Sequence, residues 1–158
     1  MFNNESLRIL QESKIFGGLS DDYIEMISTH GRILNFNKND IIIEEGHTGH
    51  PLYVIMEGRV EVFLPKKRKF HTKERPSRIK LNRLTQGDCI GEYSLIDYEP
   101  ASASVVAIAP CKVFEISRAD FGKIMTSSDN LAMNVYRNML KVLIKRSRQS
   151  DRELDICY

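Results

Sequence analysis

The sequence predicts a mainly β fold with flanking helices, in which an antiparallel β jelly-roll barrel lies between N-terminal helices and a long C-terminal helix. From Arg32 onward, apolar residues alternate with polar ones at a period of two, and turn residues such as those at 38–40 and 57–58 separate these short segments. The connections are too short to contain the crossover helices that parallel strands require, so we expect antiparallel pairing. Apolar residues at helical spacing before and after this region predict the helices.

These patterns place all of residues 1–158 in a single domain with three parts. The N-terminal helices are expected at residues 1–30, the jelly roll at 31–116 and the C-terminal helices at 117–150. A chain of 158 residues can bury one sizeable core, and its content of 42% hydrophobic and 28% charged residues is typical of a globular protein. The net charge of +2 indicates no particular class of partner.

The cysteines and the apolar segments bear on the cellular location. Three cysteines without metal or redox spacing indicate reduced thiols rather than a disulfide framework. No apolar segment approaches the roughly 18 residues of a membrane span, and the N-terminus lacks the apolar core of a signal peptide. We therefore expect a cytoplasmic protein without a membrane span.

Local spacing predicts the individual elements. The first helix is expected over residues 6–15 from the spacing of Leu7, Leu10 and Ile15, and the second begins at the cap residue Ser20. Strands are expected at residues 33–36, 41–46, 52–56, 60–64, 79–84, 101–108 and 112–116.

The segment at residues 87–105 contains a turn, a short helix and a strand. Gly91 allows the backbone to approach a ligand closely, and the first N–H groups of the short helix are free to bind an anion. Pro100 ends this helix, and the Val- and Ser-rich strand that follows would form a wall of the site. The segment therefore predicts a phosphate-binding cradle.

This segment resembles the phosphate-binding cassette of the cyclic nucleotide-binding domain family, in which Phe-Gly-Glu, a small residue and Leu precede a variable spacer and Pro-Arg-Ala-Ala-Thr-Val. The residues that match this pattern are Gly91, Glu92, Ser94, Leu95, Pro100, Ala103, Ser104 and Val105. Ala101 stands where the family has its arginine. Segments at 14–20, 45–46 and 52–60 resemble further family signatures, and the resemblance covers about residues 14–125.

The resemblance implies a binding site for a cyclic nucleotide, cAMP or cGMP, with no other cofactor. Glu92 would accept a hydrogen bond from the ribose 2′-hydroxyl. The backbone around Tyr93 and Ser94 would contact phosphate oxygens, and Ser102 would donate its hydroxyl to the phosphate. The implied ligand-binding residues are Ile90, Gly91, Glu92, Tyr93, Ser94, Ala101, Ser102 and Ala103.

Two points of this site have alternative interpretations. Because Ala101 carries no charge, another cation would have to pair with the phosphate, and Arg118 or a lysine of the last helix is the candidate. Glu92 also has a simpler interpretation, as a carboxylate that caps its own short helix.

The last helix is predicted to begin at the caps at 127–129 and to extend to about Arg148. At ~100° per residue its apolar residues cover about half of the circumference, whereas packing on one core needs a stripe of roughly 100°. These residues are Leu131, Ala132, Val135, Tyr136, Met139, Leu140, Val142, Leu143 and Ile144. The resemblance implies that this helix both covers the ligand and pairs in a homodimer, although deeper packing on its own core is the alternative. We expect Val135→Glu with Met139→Glu to produce a monomer.

A basic segment at residues 65–78 interrupts the strands. Its charged residues are Lys66, Lys67, Arg68, Lys69, Lys73, Arg75 and Arg78, with Glu74 as an acidic exception. It is interpreted either as an electrostatic contact for nucleic acid, an anionic membrane or an acidic partner, or as a solvated, mobile loop. In the second case, serine at residues 66–69 should leave the Tm nearly unchanged.

Catalytic alternatives are less well supported. His47, His50 and Glu57 suggest a metal site of the cupin type, but the two histidines are not spaced two apart on one strand. Ser94 and Ser102 have no histidine at motif spacing to activate them. We therefore expect no enzymatic activity and no metal.

The favoured function is a regulatory module that binds a cyclic nucleotide and signals through its C-terminal helix to an unknown protein effector. The alternative is a degenerate, ligand-free interaction or dimerisation module of the same fold. Residues 146–158 are too few for a helix-turn-helix, so we expect no DNA-binding domain.

Overall fold

The structure, a computed structural model, describes residues 2–69 and 71–157 and confirms the jelly roll with flanking helices. The helices are α1 (Asn4–Glu12), α2 (Asp21–Thr29), α3 (Glu92–Asp97), α4 (Arg118–Ser127) and α5 (Asp129–Ile156). The strands are β1 (Gly31–Phe36), β2 (Ile41–Ile43), β3 (Leu52–Glu57), β4 (Arg59–Leu64), β5 (Ile79–Thr85), β6 (Cys89–Ile90), β7 (Ser104–Ala107) and β8 (Cys111–Ile116). Within the described residues, no helix has both the length and the apolar composition that crossing a membrane requires.

The strands pair antiparallel in two four-stranded sheets, with the orders β1-β8-β3-β6 and β2-β7-β4-β5. Strand β3 shows how the layers stack. Leu52, Val54 and Met56 pack into a core shared with the helices, whereas Tyr53 and Ile55 pack between the two sheets. A strand that is buried on both faces is apolar throughout, which explains the unbroken apolar sequence of β3.

Helix α3 connects the two sheets, because β6 belongs to the first sheet and β7 to the second. The segment predicted as a phosphate-binding cradle therefore links the sheets. Helix α5 packs with its buried residues in the core on the helical side of the first sheet.

Three helix boundaries differ from the sequence prediction. Helix α1 ends at Glu12 rather than at Ile15. Helix α1 begins at Asn4 because the side chain of Asn3 accepts a hydrogen bond at 2.8 Å from a backbone N–H of the first turn. Helix α5 continues to Ile156 rather than ending near Arg148. Residues 129–157 contain neither glycine nor proline, so nothing in the local sequence stops the helix earlier.

The basic loop at residues 65–78, of which residue 70 lies outside the described chain, contacts the rest of the protein instead of being free in solvent. Both terminal nitrogens of Arg75 donate hydrogen bonds to the Glu45 carboxylate, at 2.9 and 2.7 Å. Lys69 lies 3.1 Å from the neighbouring carboxylate of Glu44. These contacts join the loop to the connection between β2 and β3 at Arg75 and Lys69, whereas most of its other residues are exposed.

Replacing Arg75 with glutamine is expected to lower the Tm at neutral pH, because Glu45 loses two charge-assisted hydrogen bonds. The hydrogen bond from Arg75 lowers the pKa of the Glu45 carboxyl below its ordinary value. A carboxyl with a lowered folded-state pKa contributes stability above its unfolded-state pKa and loses that contribution as the pH falls through the folded-state value. The Tm difference between the two proteins, measured by calorimetry, should therefore shrink as the medium is acidified.

The matched control for this measurement is Lys67→Gln. Lys67 is an exposed residue of the same loop, 4.0 Å from Glu74, and exposed pairs of this kind contribute little to stability. This variant should match the parent at every pH. A Tm difference for Arg75→Gln that persists unchanged in acid would show that the loop is held by something other than its pair with Glu45.

Candidate functional site

The site begins where β6 turns into α3, and Gly91 forms this turn with a φ of +88°. A Cβ at Gly91 would lie 2.5 Å from the carbonyl oxygen of Pro51 and 3.1 Å from Nδ1 of His50. Both the positive φ and the close approach require glycine. The turn therefore brings the start of α3 against residues 50–51, and the first N–H groups of α3 have no partner within the helix.

Ala101 follows α3 within the segment at residues 87–105. Its N–H donates to the carbonyl of His47 and its own carbonyl accepts from the N–H of Gly46, both at 2.8 Å. These bonds hold the chain against the loop between β2 and β3. Strand β7 begins at Ser104, whereas the sequence had predicted a strand from residue 101.

The end of α3 is fixed by Ser94, whose buried hydroxyl donates to the carbonyl of Glu99 at 2.9 Å. The same oxygen lies 2.9 Å from Nε2 of His50. Burial lowers the pKa of the His50 imidazole. Sequence spacing did not reveal the contact between His50 and Ser94, which are 44 residues apart. Because the Ser94 proton is directed to Glu99, the pair orients α3 and does not form a nucleophile with its base.

A cavity of about 410 Å³ lies between this segment, β5 and α5, within the size range of small-molecule sites. The cavity is lined by every residue predicted for the ligand site, namely Ile90, Gly91, Glu92, Tyr93, Ser94, Ala101, Ser102 and Ala103. Apolar residues of β5, among them Leu81 and Leu84, continue the wall. Helix α5 contributes polar side chains, including Arg146, Gln149 and Glu153. The cavity thus combines an apolar wall with a few polar groups.

An ion pair between Glu92 and Arg146 joins α3 to α5 across the cavity wall. Nη1 of Arg146 donates to Oε1 of Glu92, and Nη2 donates to the carbonyl of Cys89 at 2.7 Å. Glu92 is only 2% exposed. A buried carboxylate requires such a partner, because an uncompensated buried charge is strongly destabilising.

Sequence reasoning did not single out Arg146, although one feature could have identified it. Leu131, Val135, Met139 and Val142 are the buried residues of α5, and Arg146 follows Val142 by four positions on the same face. An arginine in the register of a buried stripe indicates a charged partner inside the protein.

Arg118, the arginine proposed as the substitute cation, lies elsewhere. Its Cζ is 4.9 Å from the ring centroid of Tyr98, and it does not line the cavity. Nε and Nη2 of Arg118 are buried without a hydrogen-bond partner among the described residues. Among the described residues, the basic side chains that line the cavity are His50, Lys80 and Arg146; Arg146 is the one on α5, and no lysine of that helix is among them.

The residues considered for a metal site are used in other ways. His50 contacts Ser94, His47 pairs with Glu44 at 3.2 Å, and Glu57 lies 3.3 Å from Lys112. Throughout residues 2–69 and 71–157, no group of three His, Cys, Asp or Glu side chains is arranged to hold a metal ion.

Comparison with known proteins identifies relatives of the whole barrel. The sequence profile of the cyclic nucleotide-binding domain matches residues 33–128. The chain is 25% identical to the cyclic AMP receptor protein of Thermus thermophilus over 93% of its own length, and 24% identical to a cAMP-dependent protein kinase regulatory subunit of Yarrowia lipolytica over 80%. It also superposes on the crystal structure of a cyclic nucleotide-binding domain from Methylobacillus flagellatus with a TM-score of 0.79, at 28% identity, over 96% of this chain and 82% of that one.

The chain spans 63% of the length of the Thermus protein and 31% of the Yarrowia subunit. The matching parts contain the jelly roll, and the family profile extends from β1 through the cradle segment to the end of α4. Since this profile covers more than half of the sequence and the fold agrees with it, the chain belongs to the cyclic nucleotide-binding domain family.

Proposed function

We propose that this protein is a non-enzymatic regulatory module that binds a cyclic nucleotide, cAMP or cGMP, in the cavity between α3 and α5. The observation that supports this best is the convergence of all eight predicted ligand residues on one cavity. Regulatory relatives also point to this class, since the names of two of them are those of a receptor protein and a kinase regulatory subunit.

Each part of the ligand has a proposed partner. Glu92, buried in the wall, accepts the ribose 2′-hydroxyl, because a carboxylate has acceptor capacity beyond its bond to Arg146. The backbone N–H groups of Tyr93 and Ser94 contact the phosphate, and the exposed hydroxyl of Ser102 donates to it. The base lies towards β5 and α5, where apolar side chains and Gln149 are available.

Calorimetric titration with cAMP, cGMP and 5′-AMP tests this proposal. At least one cyclic nucleotide should bind, with 5′-AMP weaker because its acyclic phosphate does not fit the same cradle. Glu92→Gln should weaken the cyclic nucleotide by about tenfold or more, because a hydrogen bond to a charged group contributes roughly 1.5–3 kcal/mol. Equal affinity for Glu92→Gln and the parent would contradict the assignment of the ribose hydroxyl to Glu92.

The alternative function, a ligand-free interaction module, is favoured by two details. Ala101 provides no charge for a phosphate, and the carboxylate of Glu92 already has a partner in Arg146. This alternative predicts that neither cyclic nucleotide produces heat at millimolar concentration and that the Tm does not change with either. Any saturable shift of the Tm by a cyclic nucleotide would exclude it.

We also propose that the module signals to an effector through α5, and that α5 pairs with a second copy of the chain. A row of apolar side chains on α5 remains exposed, namely Met133, Tyr136, Leu140 and Ile144. Their spacing of three and four residues forms a single stripe, as in helices that pair.

Val135 and Met139, the residues expected to lie at a dimer interface, are 0% and 3% exposed and pack in the core of their own chain. That assignment was wrong, because the sequence does not reveal which side of the apolar arc faces the barrel.

Leu140→Glu with Ile144→Glu is therefore expected to prevent dimer formation while preserving the fold. Both side chains are more than half exposed, so charges there disturb no core, and the like charges would meet across a paired helix. Sedimentation velocity measures the mass of each protein. The control is the double variant Lys141→Glu with Lys145→Glu, which changes charges on an exposed face of the same helix and should sediment like the parent. If the parent sediments as a monomer at high concentration, the proposed dimer does not exist.

A further inference from the structure

We propose that Arg146 of α5 supplies the positive charge for the cyclic phosphate, so that the ligand is neutralised by the helix that covers it and not by the cassette strand. This inference rests on the proposed function, because it specifies how the same cavity holds its anion. It follows from the cations that line the cavity, from the contacts of Arg146 and from the space that remains beside it.

Few groups at this cavity are able to carry the charge. Among the described lining residues, the basic side chains are His50, Lys80 and Arg146. Burial lowers the pKa of His50 and so disfavours its charged form. The Lys80 side chain is 46% exposed and lies 3.9 Å from Glu61, whereas that of Arg146 is 21% exposed. A charge shielded from solvent interacts more strongly with an anion, which favours Arg146.

The contacts of Arg146 leave donors available for a ligand. A guanidinium has five N–H donors in a planar fork, and the pair with Glu92 and the bond to the Cys89 carbonyl use part of this set. The remaining donors can bind phosphate oxygens without breaking the pair with Glu92. Arginine is suited to this role because its planar geometry matches phosphate.

The pair between Arg146 and Glu92 also does not fill the site. The cavity of about 410 Å³ is present with the pair formed, and both residues lie in its wall. If the Arg146 side chain blocked ligand binding, it would fill the cavity. Arg146 therefore acts as a wall residue that faces the ligand.

One consequence is that ligand binding and the position of α5 depend on the same residue. Arg146 connects α5 to α3 through Glu92 and to β6 through the Cys89 carbonyl. An anion that binds Arg146 adds a further connection between α5 and the cassette, so the ligand should hold the C-terminal part of α5 more firmly. Hydrogen exchange of residues 143–156 should slow when the cyclic nucleotide binds, and should slow less in Arg146→Gln.

The main test compares affinities for cAMP and cGMP with those for adenosine and guanosine, which lack the phosphate. Arg146→Gln should weaken the better cyclic nucleotide by about 10- to 100-fold, and should change the affinity for the matching nucleoside by much less. Arg148→Gln is the matched control, since Arg148 is exposed on the same helix and does not line this cavity. Its affinities should equal those of the parent.

A second pair of variants allows for the structural role of Arg146. Arg146→Gln leaves the buried Glu92 without its partner, which can itself destabilise the protein. The second pair consists of Glu92→Gln and the double variant Glu92→Gln with Arg146→Gln. Residue 92 is uncharged in both proteins, so neither contains an unpaired buried carboxylate at this position. The double variant should bind the cyclic nucleotide more weakly than Glu92→Gln alone, and adding Ala101→Arg to it should restore part of the lost affinity.

The outcomes separate this inference from the function on which it rests. If the parent binds a cyclic nucleotide and removal of Arg146 leaves the affinity equal or increases it, Arg146 is not the phosphate partner and the inference is overturned. If the parent binds neither cyclic nucleotide, the proposed function itself fails, whether or not Ala101→Arg binds one.

Discussion

Ala101→Arg is expected to raise the affinity for a cyclic nucleotide by about thirtyfold, which corresponds to roughly 2 kcal/mol from charge-assisted hydrogen bonds to the phosphate. Ala101 lines the cavity and is 8% exposed, so an arginine there would extend towards the ligand. A gain remains available even with Arg146 present, because that charge is shared with Glu92. The gain should be larger in a protein that lacks Arg146.

The control for this variant is Ala119→Arg, which adds the same charge at an exposed position of α4 outside the cavity. It should leave the affinity unchanged, apart from a small effect that disappears with added salt. If Ala101→Arg binds no better than the parent and melts at a lower temperature, the introduced guanidinium is buried without an anion. That result would show that position 101 does not face a bound phosphate.

Phe114→Ala is expected to lower the free energy of unfolding by about 3–5 kcal/mol, the usual cost of removing a buried phenylalanine. Phe114 is 0% exposed on β8, between the first sheet and the helices. Its ring forms edge-to-face contacts with Phe2 and Phe16, at centroid distances of 5.6 and 6.5 Å. It also fills the space beside Gly31, where a Cβ would lie 2.2 Å from the ring.

Urea unfolding measures this effect, with Phe36→Ala as the comparison, since Phe36 is only partly buried and should cost less. A loss below about 1 kcal/mol for Phe114→Ala would mean that the helices do not pack on the sheet through this ring.

The parts of the molecule that could be predicted from the sequence depend on local patterns. The period of two, the turn glycines and the unbroken apolar run of β3 specify strands whatever surrounds them. Gly91 and Glu92 could be singled out from the sequence because they belong to a short motif, and the structure places both in the cavity wall. The predicted site residues line one cavity for the same reason, since they belong to a continuous segment and are brought together by one turn and one helix.

The remaining features depend on contacts between distant residues. Arg146 meets Glu92 across 54 residues of sequence, and Arg75 meets Glu45 across 30. No local pattern specifies such partners. The sequence also does not show which side of α5 faces the barrel. Val135 and Leu140 are both apolar, yet Val135 is buried and Leu140 is 58% exposed.

The most direct test of the binding site is a titration of the uniformly ¹⁵N-labelled protein with cAMP and cGMP, followed through the backbone amide resonances. The amides of residues 90–94 and 101–103 should shift together with saturable curves, and those of residues 146–153 of α5 should shift with them. Amides of the basic loop at residues 71–78 should not change and serve as an internal reference. Shifts that are absent at millimolar nucleotide, or that appear in the basic loop and not around Glu92, would contradict a cyclic nucleotide site in this cavity.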